Sequence, residues 1–263
     1  MKCTMLGTGH AIVTHCYNTC FVLEEDHEYF LVDTGGGGQI LTQLEQANID
    51  LCSIKAVFIS HAHTDHIMGV FWLIRMIGMY TMMGKIKEPI YLYSHPECIQ
   101  KIINISKELF TKELSCLGKT LLFCPISDLE ERKILNHRIQ FFDTQAKKIA
   151  QFGFNYEYDD EHILTFCGDE PLSRENMCTS TTYLMHEAFC LYSQKETFKP
   201  ERAGHSTALQ ACQLAEKLHI PNIILYHTED TDISNRKMKY TLEGRSVYSG
   251  NIFVPDDLEV IEL

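Results

Sequence analysis

No two of the eleven cysteines in this 263-residue chain form a CxxC pair; the nearest approach is that of Cys16 and Cys20. A structural zinc built from four thiolates normally shows paired close spacings, so such a site is not expected. An odd, irregular cysteine set reads instead as reduced thiols, which places the protein in the cytoplasm. A secretory leader is not expected either, because Met1-Lys2-Cys3-Thr4 runs straight into a strand-like segment. Uninterrupted apolar stretches are missing as well. The longest, Ile67 to Met83, is broken by Gly69, Arg75 and Gly78, and reads as a buried helix rather than a membrane span. There is no low-complexity tract, no Pro/Ser-rich linker and no short-period repeat. Basic charge is in deficit: 23 Lys and Arg face 35 Asp and Glu, a formal charge of −12. Non-specific attachment to nucleic acid needs clustered cations, so no extended nucleic-acid surface is expected. The short clusters Arg132-Lys133, Lys147-Lys148 and Arg236-Lys237-Met238-Lys239 read as solvated surface.

What the chain does have is 45% apolar residues, enough to fill a sizeable core. Short apolar runs at Cys20–Leu23, Tyr29–Val32, Ala56–Ile59 and Ile90–Tyr93 read as strands. Helical patterns follow at Ile40–Ala47, Ile67–Met83, from about Pro96, and at Thr207–Leu218. Further strands are expected at Thr120–Cys124, Arg138–Asp143, Phe152–Tyr158, His162–Cys167, Thr182–Met185 and Asn222–Tyr226. Strands and helices alternate throughout, which predicts an α/β fold in one domain spanning 1–263.

The chemistry is concentrated in His61-Ala62-His63-Thr64-Asp65-His66, between a buried strand and a helix. Three imidazoles and a carboxylate within six residues are not core filling, since such groups are rarely buried without partners. At a strand's carboxyl end, His61 and His63 can aim at one point. Asp65 and His66, on the next turn, can face a second. Neutral imidazole and carboxylate are the donors that zinc and similar ions accept.

This segment resembles the HxHxDH signature of the metallo-β-lactamase superfamily, and that resemblance implies an αββα four-layer sandwich. It also implies further roles. Asp33 matches the buried aspartate that orients the metal-binding loop, Asp169 the carboxylate bridging two metals, and His227 the last histidine of the second metal. Two divalent ions are thereby expected, zinc or alternatively manganese, activating a shared hydroxide as the nucleophile, with Asp65 orienting it.

Within the superfamily the chain is similar to ribonuclease Z over nearly its whole length. Leu6-Gly7-Thr8-Gly9 is similar to that branch's opening, His186-Glu187-Ala188-Phe189 resembles its HEAT motif, and His205-Ser206-Thr207 its HST motif. The resemblance implies that Glu187 and His205 couple, with His205 assisting proton transfer to the leaving group. A homodimer is the assembly it implies.

Two departures stand out. The family's histidine on the strand before the bridging aspartate is absent; Gln145 stands closest to that position, with His137 and then His95 as other candidates. The interval from Ala146 to Gly168 is used up by strands, leaving no room for the arm with which bacterial ribonuclease Z grips tRNA. The resulting expectation is a phosphodiesterase acting on an anionic small molecule or an RNA end. Rival readings are an ester, thioester or lactone hydrolase on the same site, or a metal-binding sensor with degraded catalysis.

Overall fold

Apolar runs without polar alternation arise where a strand is buried on both faces. The computed structural model, which describes residues 1–263, shows this arrangement. The first half of the chain supplies β1 (Lys2–Gly7), β2 (Cys20–Glu25), β3 (Glu28–Val32), α1 (Gln39–Gln46), β4 (Ile54–Phe58), α2 (Thr64–Ile67), α3 (Gly69–Met82), β5 (Ile90–Ser94), α4 (Pro96–Leu109) and β6 (Leu121–Pro125). Then come β7 (Glu131–Ile134), β8 (His137–Asp143), β9 (Phe152–Glu157), β10 (Ile163–Phe166), β11 (Tyr183–Glu187), α5 (Lys195–Phe198) and α6 (Pro200–Ala203). The chain finishes with α7 (Ala208–Lys217), β12 (Asn222–Tyr226), α8 (Arg236–Arg245), β13 (Asn251–Phe253) and β14 (Val260–Glu262).

The strands form two seven-stranded sheets, ordered β14-β1-β2-β3-β4-β5-β6 and β13-β12-β11-β10-β9-β8-β7. Three apolar layers separate them and their helices. Along β2, Phe21 and Leu23 point between the sheets, whereas Cys20 and Val22 face the helices α1, α3 and α4. Phe30 and Phe58 pack on Phe154 across the central layer, with ring centroids 5.7 and 5.6 Å apart. The third layer, with Leu184, Ile223 and Leu225, lies under α7 and α8. The expected αββα sandwich is the observed one.

Two readings of the sequence need correction. The helix at Ile67–Met83 is amphipathic rather than buried: Phe71, Ile74 and Ile77 are covered, but Trp72 is 47% exposed and Met68 and Met82 are exposed too. Arg236, read as solvated, is only 2% exposed. Its guanidinium donates to Thr8 Oγ1, Thr228 Oγ1 and Pro255 O at 2.9, 2.9 and 2.7 Å, tying the end of β1 to the segment after β12. No helix is long and apolar enough to cross a membrane.

Strand direction positions the site. β3 and β4 are parallel neighbours, as are β10, β11 and β12, so the loops after them open together. Ligand sites in α/β sheets lie at such carboxyl ends.

Candidate metal centre

His61 and His63 follow β4, Asp65 and His66 lie in α2, Asp169 follows β10 and His227 follows β12. The structure brings all six together. Nitrogens and oxygens of Asp65, His66, Asp169 and His227 lie within 4.8 Å of one another, and so do those of His61, His63 and Asp169. One atom belongs to both groups. Asp169 Oδ2 is 3.3 Å from His61 Nε2 and 3.9 Å from His63 Nδ1 on one side. On the other it is 3.5 Å from His66 Nε2 and 3.8 Å from His227 Nε2. Donors about 2.0–2.2 Å from a tetrahedral ion stand about 3.3–3.5 Å from each other. The gaps to His61 and His66 are of that size, and those to His227 and His63 are 0.3–0.4 Å wider.

Asp33 explains why the histidines point inward. Fully buried at the end of β3, it accepts from Ser60 N at 2.8 Å, Ser60 Oγ at 2.7 Å and His66 Nδ1 at 2.8 Å. Ser60 Oγ in turn lies 2.9 Å from His61 Nδ1. With Nδ1 engaged on both rings, the Nε2 lone pairs face the centre. Asp33 and His227 both hold left-handed backbone, with φ of 54° and 57°. Non-glycine residues adopt it at some cost, where surrounding structure enforces it.

Electrostatics match a cation-binding role. Burial alone would raise the Asp169 carboxyl, but His61, His63 and His66 outweigh it and hold it well below the usual range. Burial likewise opposes ionisation of Asp65, and His66 and His227 reverse the effect. Burial disfavours the His66 imidazolium, yet Asp33 and Asp65 push its pKa well above the ordinary value. His66 Nε2 is buried without a hydrogen-bond partner, an atom whose natural complement is an ion. The residues present therefore fit divalent metal.

The position of the family's missing histidine is where the sequence reading fails. Gln145 does not reach the centre; with φ of 60° its N–H donates to Asp143 Oδ1 at 2.7 Å and its side chain turns to solvent. The buried residue there is Gln151, whose Nε2 lies 3.2 Å from His61 Nδ1 and donates to Asp169 Oδ1. Gln151 thus occupies one carboxylate oxygen of Asp169 and leaves Oδ2 free. His137 pairs with Glu25 at 2.6 Å, at the opening of β8 rather than its end. His95 precedes α4 and stacks on Phe152.

Glu187 and His205 also meet. Glu187, fully buried, accepts from Ser206 N and, at 2.6 Å, from Ser206 Oγ; its Oε2 is 3.7 Å from His205 Nδ1. His205 Nδ1 donates to Asp169 O at 2.7 Å, and its ring lies flat on Phe189 and 5.0 Å from that of His227. Burial, then His227, lowers the His205 pKa to about 3. Burial raises Glu187 to about 8 against the Ser206 hydrogen bonds.

A pH dependence follows for the metal-free protein. Between about 4.5 and about 8 the folded chain keeps a proton on Glu187 that the unfolded chain releases. Glu187 therefore favours folding fully below the lower value, and its contribution is lost as pH rises through the upper one. Urea titrations in chelator at about pH 5 and about pH 8 should show Glu187→Gln gaining stability relative to the wild type at the higher pH. An equal difference at both pH values contradicts this.

His10 went unnoticed in the sequence. It is buried against Phe189, ring centroids 4.5 Å apart, and 6.2 Å from the His227 ring. The available signal was its place just beyond a strand end, the same as for His61 and His227.

The sandwich is the metallo-β-lactamase fold, and its strand-end His/Asp cluster has the donor set of a divalent-metal centre. More particularly, the chain belongs to the family described as anti-Pycsar protein Apyc1, whose model matches residues 1–244. Ribonuclease Z of Prochlorococcus marinus (strain NATL1A) is 29% identical, over 86% of this chain and 87% of its own length. Among solved structures, the metallo-β-lactamase fold protein YhfI of Bacillus subtilis superposes with a TM-score of 0.81 at 19% identity, covering 99% of this chain and 98% of that one. Human tRNase Z, short form, does so at 0.75 and 20% identity, covering 100% and 99%.

Proposed function

We propose that the chain is a two-metal phosphodiesterase whose substrate is a small phosphodiester. The observation that carries this reading is the sharing of Asp169 Oδ2 between two donor groups. His61, His63 and Asp169 would hold one ion, and Asp65, His66, His227 and Asp169 the other. Divalent ions bound there, zinc or manganese, would supply water of lowered pKa as the nucleophile and would offset charge on the phosphoryl oxygens.

The chain's own groups do the rest. Asp65 orients the attacking oxygen. Asp33 and Ser60 fix the tautomers of His61 and His66. Because His205 Nδ1 is committed to Asp169 O, Nε2 is the atom that can give a proton to the leaving oxygen. An anionic phosphodiester arriving beside His205 favours its imidazolium, and that charge in turn favours loss of the proton from Glu187, whose carboxylate 3.7 Å behind the ring then stabilises it.

Size and charge favour a small substrate over a folded RNA. The connection from β8 to β9 runs only from Thr144 to Gln151, and the formal charge is −12. Residues 1–263 are read as one domain, and the eleven free cysteines suit the cytoplasm. The exposed Met68, just before α3, and Trp72 and Met82 on it suit a homodimer contact.

The test is hydrolysis of bis(p-nitrophenyl) phosphate by protein reconstituted with zinc or manganese. Turnover that vanishes in strong chelator and returns with added metal is expected. Turnover untouched by chelator refutes the reading.

A further inference from the structure

His10 lies beside the centre but belongs to neither donor group. Its backbone is fixed there. His10 N donates to Thr228 O at 3.1 Å, one residue beyond His227, and Thr228 N donates to Thr8 O at 3.1 Å. Asn18 Nδ2 donates to His10 O at 2.8 Å. Farther along the β1–β2 connection, Asp230 Oδ2 accepts from the N–H groups of Thr14 and His15, each at 2.6 Å. The connection is thus tied to the segment after β12 on either side of its exposed tip, Ile12.

The ring is as well defined as the backbone. Its Nδ1 accepts the Ile12 N–H at 3.4 Å. A ring nitrogen that accepts carries no proton, so the imidazole is neutral and bears its hydrogen on Nε2. Nothing in the chain accepts from Nε2, and unlike Nε2 of His66 that atom is not sealed off from solvent. The ring centroid stands 4.5 Å from that of Phe189 and 6.2 Å from that of His227. His205 approaches the same two rings, at 4.8 and 5.0 Å. Two imidazoles therefore border the His227 side of the centre.

Charge decides what a second one is for. Asp65 and Asp169 form ion pairs only with imidazoles, and no Lys or Arg comes within 4.0 Å of them. A phosphodiester presents two non-bridging oxygens that share one negative charge. One can face the metals; the other needs a donor from the chain, and no fixed cation is there to provide it. A neutral N–H held in one tautomer meets that need, because a hydrogen bond to a charged oxygen is stronger than one to a neutral acceptor.

We infer that His10 Nε2 is a substrate-binding donor that holds a non-bridging phosphoryl oxygen. The inference rests on the phosphodiesterase reading and gives the two imidazoles different tasks. His10 holds an oxygen that stays on phosphorus, whereas His205 serves the one that leaves.

Two variants separate donation from packing. His10→Phe keeps a flat ring against Phe189 but has no donor; His10→Gln loses the ring and offers an amide N–H near the place of Nε2. With bis(p-nitrophenyl) phosphate and metal-reconstituted protein, kcat/KM should fall about ten- to a hundredfold in His10→Phe, and His10→Gln should recover most of that loss. Metal content should match the wild type in both. Calorimetric titration of the metal-loaded protein with orthophosphate needs no turnover, and its affinity should drop in His10→Phe and be kept in His10→Gln. A packing role gives the opposite order, with His10→Phe like the wild type and His10→Gln damaged, and overturns the inference. So does loss of metal from both variants, which marks a ligand. If the wild type binds orthophosphate without cleaving the diester, the phosphodiesterase reading falls, and the phosphate affinities of the two variants still decide whether His10 is a donor.

Discussion

Asp169→Ala is expected to lower kcat/KM for a phosphodiester by about a thousandfold or more and to strip metal from both positions. The expectation follows from one oxygen. Asp169 Oδ2 is within 3.9 Å of donor nitrogens on both sides, so its loss leaves two histidines in one group and three residues in the other. Metal assistance is worth several kcal/mol of transition-state stabilisation, and each 1.36 kcal/mol is about tenfold in rate. Truncation also leaves the Gln151 amide and the His61 imidazole without their carboxylate, a penalty on top of the lost ligand. Steady-state rates and metal content measured on the same preparation check it. A variant that keeps both ions and more than about a tenth of the rate contradicts the bridging role.

The second large effect depends on the leaving group. For a dinucleotide, whose alkoxide needs a proton, His205→Ala should lower kcat about 10²- to 10⁴-fold. For bis(p-nitrophenyl) phosphate, whose phenolate departs without one, the same variant should lose little. This contrast separates proton donation from mere packing. The His205 ring is stacked on Phe189 at 5° and 4.8 Å, and its loss could disturb the site generally. General damage would lower both substrates alike; only a proton donor yields the split.

Much of this site is legible in the sequence because its residues sit where strands end. An apolar run such as Ala56–Ile59 announces a buried strand, and the histidines directly after it must lie at the sheet's carboxyl edge. The same logic reaches Asp33, Asp169, Glu187 and His227. It fails in the connection between β8 and β9. Counting from Asp143 singles out Gln145, but the chain turns outward there through a left-handed residue, and Gln151, starting the return into β9, points inward. Spacing along a chain does not reveal which way an irregular turn faces. Polar edge strands hide for a related reason. β7 reads Glu131-Arg132-Lys133-Ile134 and buries only its last residue, so no apolar pattern betrays it. Arg236 is hidden by type: an arginine in a basic run looks solvated until its four oxygen acceptors, drawn from distant segments, are in place.

A crystal of the zinc-loaded protein, measured at the zinc absorption edge, addresses the centre itself. Two anomalous peaks on either side of Asp169 Oδ2 are predicted, one beside His61 and His63 and the other among Asp65, His66 and His227. A lone peak, or density away from Asp169, would show that the two donor groups do not work as a pair.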